Sequence, residues 1–160
     1  PVGSPDLEVQ PLLTEEILLA LPPDHPLARA VALSETRRLP LAAVAEEPFL
    51  PMKPGYGFRD QSLEACRAAG FEPRIAFESM QIDTLQAMVA AGLGVTLVPQ
   101  MAAESALRPS PVFVRLEGPP FTRTLALVWR RDRYLSRAAS AFLQMACELW
   151  HDAAPSPKRA

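Results

Sequence analysis

Nowhere in the 160 residues does an apolar run approach the length of a bilayer span, so the chain as given is not membrane-inserted. It also lacks a concentrated positive footprint. Sixteen basic residues stand against 18 acidic ones, for a net charge of −2 and a pI near 5.7. That argues against this stretch gripping nucleic acid by itself. Lysine is nearly missing: only Lys53 and Lys158 occur, and the other basic residues are arginines. The late cluster Arg123, Arg130, Arg131, Arg133 and Arg137 reads as a solvated strand end and helix start. Two cysteines, Cys66 and Cys147, fit no metal spacing and no disulfide framework, and each sits among alanines as a small apolar residue. There is no G-x-S-x-G, no G-x-x-x-x-G-K-[ST], no H-E-x-x-H and no C-x-x-C. Asp60 and Glu64 lie four apart without a histidine nearby and read as a solvated face. His25 sits in a proline loop and His151 near the end of the last helix. No metal, cofactor or enzymatic activity is implied.

What is present is an apolar fraction of 49% with 21% charged residues, the balance of a soluble globular protein. The most informative stretch is Gln81 to Pro99. Ile82, Leu85 and Val89 give one apolar helix face; Gly92 suits a left-handed helix end; Gly94 permits close backbone approach; and Val95 to Val98 is a short buried strand that Pro99 ends. Such a tight helix–strand junction belongs to an α/β sheet with parallel strands. Gly92-x-Gly94 is no dinucleotide fingerprint, because it follows a helix and precedes a strand.

Around this junction, Leu7 to Leu13 and Ile17 to Leu21 read as two extended segments separated by Thr14-Glu15-Glu16, and Pro22, Pro23 and Pro26 as a loop. A short helix or irregular connection over 31–47, at about Leu41 to Ala45, leads to a strand at Phe49 to Met52. A loop at Pro54 to Gly57 opens a helix from about Phe58 to Ala69, which Gly70 ends. Arg74 to Phe77 is the next strand, and Ser79 the expected N-cap of the helix over Gln81 to Ala91. The alternation from 49 to 98 predicts a parallel β-α-β-α-β unit. Beyond it come a helical turn at Met101 to Ala106, strands at Val112 to Leu116 and Thr124 to Trp129 about a Gly118-Pro119-Pro120 turn, and a last helix capped by Ser136. Ala139, Phe142, Leu143, Ala146 and Trp150 should line its buried side. Ligands bind off the carboxyl ends of strands in open α/β sheets. Two such ends are legible, at Lys53 to Phe58 and at Glu78 to Gln81. Each opens a helix whose first N–H groups suit an anion, with Lys53 adding charge.

Taken in order, the "HPLA" of His25 to Ala28, the Glu47-Pro48-Phe49 before a strand, the "G-x-G-F-R" from Gly55 to Arg59, the "VAAGLGV-x-L-V-P" ending at Pro99 and the "LALVWR" of Leu125 to Arg130 resemble the effector-binding domain of LysR-type transcriptional regulators over about residues 7–150. The resemblance implies an α/β, periplasmic-binding-protein-like two-lobed fold. Residues 1–16 would be a remnant of lobe I, 17–125 a complete lobe II, 126–152 the return to lobe I, and 153–160 a disordered tail. It implies a small, anionic effector in the interlobe cleft, with ligand-binding positions at Gly55, Tyr56, Gly57, Phe58, Ser79 and Gln81, to which the residues themselves add Lys53. The expected partners are that effector, copies of the chain in a homodimer or homotetramer with the Phe58–Ala69 helix as a candidate surface, and DNA only through an N-terminal helix-turn-helix not present in this sequence. The expected location is the cytoplasm, without membrane contact. Gly57 through Cys66 also resembles the peroxide-sensing branch of that family, but the reactive cysteine of that branch falls at Gly57 here. The alternative reading is a periplasmic solute-binding protein of a transporter, which shares the fold.

Overall fold

The structure is a computed structural model that describes residues 4–105 and 109–153, with side chains described through residue 150. The chain divides into two compact units, one made of Pro1–Glu15 with Thr122–Ala160 and the other of Glu16–Phe121. Strand β1 (Leu7–Leu21) belongs to both.

The Glu16–Phe121 unit holds α1 (Pro26–Leu33), β2 (Arg38–Leu39), a 3-10 turn (Leu41–Val44), β3 (Pro48–Phe49), α2 (Gly57–Ala68), β4 (Arg74–Ile75), α3 (Ile82–Ala90), β5 (Thr96–Pro99), α4 (Gln100–Glu104) and β6 (Val112–Leu116). β1 is the hub: it pairs antiparallel with β5 (Leu18 opposite Val98) and with β6 (Ala20 opposite Phe113), and β2 adds parallel to β6. The parallel unit anticipated from the alternation is present. β3 and β4 pair in parallel, and Phe49 bridges Val95 in parallel beside β5.

Because strand side chains alternate between faces, this sheet carries two cores. Ile17, Leu19, Leu21, Val95 and Leu97 join α1 and Cys66 of α2 on one side; Ala20, Leu50 and Val98 join Leu85 and Val89 of α3 on the other. Fully burying an apolar side chain contributes about 1.5–3 kcal/mol, and Phe49, Leu50, Val89 and Val95 are at most 1% exposed.

The helix–strand junction follows the reading closely. Gly92 has φ +83, and the Gly92 and Leu93 N–H groups donate to the Val89 and Met88 carbonyls, the Schellman arrangement that satisfies a helix end. Gly70 and Phe71 close α2 in the same way, donating to Arg67 and Cys66. At Gly94 a Cβ would lie 2.2 Å from the Pro48 carbonyl oxygen, which accepts from the Val95 N–H at 2.8 Å. Glycine is required there to bring α3's exit against β3.

The unit formed by residues up to Glu15 and from Thr122 holds the first half of β1, β7 (Thr122–Arg130), which pairs with it, and α5 (Arg137–Ala153). Ser136 caps α5 as expected, its Oγ accepting from the Ala139 N–H at 3.2 Å.

Several expectations are corrected. Thr14-Glu15-Glu16 does not interrupt the first strand, because each polar side chain finds a cross-strand partner. Thr14 meets Thr124 at 2.9 Å, Glu15 pairs with Arg123 at 2.8 Å and Glu16 with Arg115 at 3.1 Å. The proline loop is shorter than expected, since Pro26 opens α1 with His25 as its cap. The His25 Nδ1 accepts from the Leu27 N–H, and a proline at a helix start forfeits no bond the helix needs. The strands expected at Phe49 to Met52 and Arg74 to Phe77 pair regularly only at Pro48–Phe49 and Arg74–Ile75. The N-cap of α3 is Gln81, not Ser79. Phe142 is 57% exposed, although Ala146 is buried and Ala139, Leu143 and Trp150 are half-buried. Ala106, the His151 side chain and the tail beyond Ala153 lie outside the described residues.

Candidate functional site

The two strand ends singled out above are held side by side. Met52 bridges Ser79 in parallel, and the Lys53 N–H donates to the Ser79 carbonyl at 3.0 Å. From this seam the chain leaves into α2 after Tyr56 and into α3 after Gln81. Neither helix start has a side-chain cap from its N-cap residue. Four N–H groups at a helix start have no intrahelical acceptor, so two anion-attracting ends open on one edge. Asp60 and Asp83 lie in the first turns and offset part of that charge.

Of the expected ligand residues, Lys53 and Gly55 are exposed, and Tyr56 is 40% exposed. Gly57 is the first residue of α2 and has no positive φ. A Cβ there would meet nothing within 4 Å among the described residues. Neither backbone conformation nor packing therefore demands glycine at Gly57, and its effect is to leave space beside the helix end. Phe58 is half-buried and packs against both cores, which makes it the floor of this edge. Ser79 Oγ accepts from the Gln81 N–H at 3.1 Å, and the Gln81 Oε1 accepts from Thr84 at 3.3 Å. The structure thus brings Lys53, Gly55, Tyr56, Ser79 and Gln81, on two adjoining loops, together with Gly57 and Phe58 at the start of α2.

Sequence reasoning overlooked Arg59 and Glu78, which join those loops: the Arg59 Nη1 donates to the Met52 carbonyl and to the Glu78 carboxylate. The signal for it was a cation in a helix's first turn, where the dipole disfavours positive charge.

Other candidates resolve into structural roles. His25 Nε2 lies 3.2 Å from Glu47, completing its capping role. Cys66 is wholly buried, and burial, helped by Glu72 and opposed by Arg67, pushes its thiol up to about 11. Of the late arginines, Arg123, Arg130 and Arg131 are engaged with Glu15, Asp132 and Glu8, so their charge is largely spent within the fold. Among the described residues no cluster of three His, Cys, Asp or Glu side chains is placed to hold a metal, and no helix is long and apolar enough to cross a membrane.

Comparison with known proteins gives these features a context. The profile of the LysR substrate binding domain matches residues 1–150. The uncharacterized HTH-type transcriptional regulator YcgK of Bacillus subtilis is 34% identical over 160 residues, covering 92% of this chain and 49% of that protein. The DNA-binding transcriptional dual regulator OxyR of Escherichia coli is 35% identical over 130 residues, covering 78% of this chain and 41% of that protein. The chain therefore spans about half the length of the curated relatives it matches, or less. Among solved structures, the C-terminal domain of a probable LysR family transcriptional regulator from Rhodococcus sp. RHA1 superposes with a TM-score of 0.77 at 30% identity, covering 91% of this chain and 70% of that one. The regulatory domain of Synechocystis PCC6803 CcmR, solved in complex with 2-PG, shares the fold with a TM-score of 0.78 at 20% identity, over 93% of this chain and 69% of that one. Profile, sequence and α/β fold agree, and the chain belongs to the LysR substrate-binding domain family.

Proposed function

We propose that this chain is the effector-sensing part of a LysR-type DNA-binding transcriptional regulator and that it takes a small anionic metabolite at the edge formed by Lys53, Gly55, Tyr56, Gly57, Phe58, Ser79 and Gln81. The observation that carries the reading is the pair of adjacent helix starts without side-chain caps, with open space at Gly57 and a lysine alongside. Binding would bias one arrangement of the protein over another by its differential affinity for the two. We assign Glu16–Phe121 to lobe II and the other unit to lobe I of the family's domain. No step of this role calls for catalysis. DNA contact falls to a helix-turn-helix outside this sequence, the place of work is the cytoplasm, and the assembly is a homodimer or homotetramer. The exposed edge of β4 and the residues just after it, with Ile75 42% and Phe77 49% exposed, and the neighbouring α2 are its surface.

Two other readings are less well supported. CcmR's 2-PG complex and the regulator relatives favour effector sensing over solute capture for a transporter. Peroxide sensing in the manner suggested by OxyR's branch lacks its nucleophile, because glycine stands at Gly57 and Cys66 is a buried, protonated thiol.

Titrating the chain with a panel of small carboxylates and phosphorylated acids, followed by amide chemical shifts, tests the site. Shifts are expected first at Gly57, Phe58 and Ile82. Gly57→Asp should weaken binding about ten-fold or more by placing like charge in the open space, while a first-turn aspartate leaves the melting temperature unchanged or slightly higher. Binding that persists in that variant, or shifts confined elsewhere, would move the site. The native gene product should carry a helix-turn-helix ahead of Pro1; a secretion signal there would make it a solute-capture protein instead.

A further inference from the structure

Arg59 is oddly placed for an arginine. It is the third residue of α2, in the turn where the helix dipole opposes a cation, yet its side chain is only 13% exposed. Its bonds explain the position. From one nitrogen it reaches the carbonyl of Met52, just past β3, and the carboxylate of Glu78, just past β4. Met52 immediately precedes Lys53, and Glu78 immediately precedes Ser79. Apart from Arg59, little ties these strand ends together. The β3–β4 ladder is two residues long; among the described residues the Ala76 N–H bond to the Phe49 carbonyl and, at the Met52–Ser79 bridge, the Lys53 N–H bond to Ser79 continue it, and residues 74–78 are all exposed. A ladder that short does not hold its ends rigidly by itself. A charge-assisted contact from the neighbouring helix fixes both ends and the start of α2 at once.

We propose that Arg59, latched to Met52 and Glu78, is the positioning residue that sets the distance and angle between the two anion-facing helix starts, and that ligand affinity and selectivity are tuned through it. The proposal rests on the effector-site reading for its functional half; its mechanical half stands on the bonds alone. Arg59 acts through the backbone at Lys53, Ser79 and Gln81 and need not touch the ligand.

Residue-resolved amide exchange on the chain, followed by titration with inorganic phosphate, tests both halves. In Arg59→Met, the Lys53 and Gln81 amides, which donate to the Ser79 carbonyl and Oγ, should exchange about ten-fold faster, while those of Leu97 and Val98 in β5 stay as they were. Arg59→Lys, which keeps the charge and enough donors but has a shorter side chain without the rigid guanidinium plane, should fall between. Glu78→Gln, which keeps an acceptor, should remain close to the native chain. Uniformly faster exchange throughout would make Arg59 a general stabiliser, and unchanged exchange at Lys53 and Gln81 would mean there is no latch; either result overturns the proposal. Phosphate shifting the Gly57 and Ile82 amides of the native chain, with affinity about ten-fold lower in Arg59→Met, supports the functional half. If phosphate leaves the native amides unmoved, the anion-site reading fails while the exchange data still decide the latch. Equal affinity in both chains would overturn the tuning role.

Discussion

Cys66 shows how one residue's surroundings settle a functional question. Its thiol is sealed between α2 and the first core, and burial raises its pKa from 9.0 to about 11. A thiolate is the reactive form, so Cys66 should resist alkylation at pH 8 in the native chain and react promptly once unfolded; mass spectrometry after a brief iodoacetamide pulse measures this. The same shift links to stability. The thiol is a weaker acid in the fold than in the unfolded chain, so its contribution is complete below pH 9, declines as the unfolded chain ionises, and is gone above about pH 11. The denaturation midpoint should fall across that window in the native chain, and Cys66→Ala should remove that part of the slope. Gly57 makes the converse point. Among the described residues neither backbone conformation nor packing needs a glycine there, so a small side chain at that position should cost the fold little.

At the scale of elements, the α3–β5 junction does the most to set the sheet. Two Schellman bonds end α3, and Gly94, at φ +152, brings the chain within bonding distance of Pro48, so that β5 lies beside β3 with the two loops of the candidate site emerging from one edge. Gly94→Ala adds both an unfavourable backbone conformation and a collision with a carbonyl, and should destabilise the chain by about 3 kcal/mol in urea denaturation. A cost below about 0.5 kcal/mol would show that the junction relaxes freely. The corrected elements share a cause. Thr14-Glu15-Glu16 looks like a break and Pro26 like a loop, but a buried Glu15–Arg123 pair and a histidine cap turn them into a strand interior and a helix start. The first pair lies 108 residues apart and leaves no trace in local composition; the second spans two residues, but histidine is not among the side chains usually read as helix caps.

Over the whole molecule the apolar core is unevenly divided. Among the described residues nearly all buried hydrophobic side chains belong to Glu16–Phe121, whereas in the other unit Ala146 is the one buried hydrophobic side chain, and Val9, Val128, Phe142, Met145 and Leu149 are between 41% and 63% exposed. Phe142, Met145 and Leu149 follow helical spacing and form a bare stripe on α5. A two-stranded ribbon with a helix so exposed is marginal in water. The isolated 160-residue chain should therefore self-associate. Light scattering across a concentration series should show mass rising above that of one chain, and Phe142→Lys with Met145→Glu should lower it. A monomer at high concentration would contradict this reading.

Residues alone determined the parallel β-α-β-α-β unit, the last helix and its cap, the glycine-closed helix ends and the two loops carrying the candidate ligand positions. Each of these rests on short-range chemistry: apolar periodicity, a glycine where φ must turn positive, a serine ahead of a helix. The tertiary structure decided what depends on distant partners. It made β1 one strand by pairing Glu15 with Arg123, gave His25 a capping role completed by Glu47, and turned Phe142 outward. It also placed Arg59 between Met52 and Glu78, because a guanidinium's neighbours are set by the packing of α2 against two strand ends and not by the residues beside it in the chain.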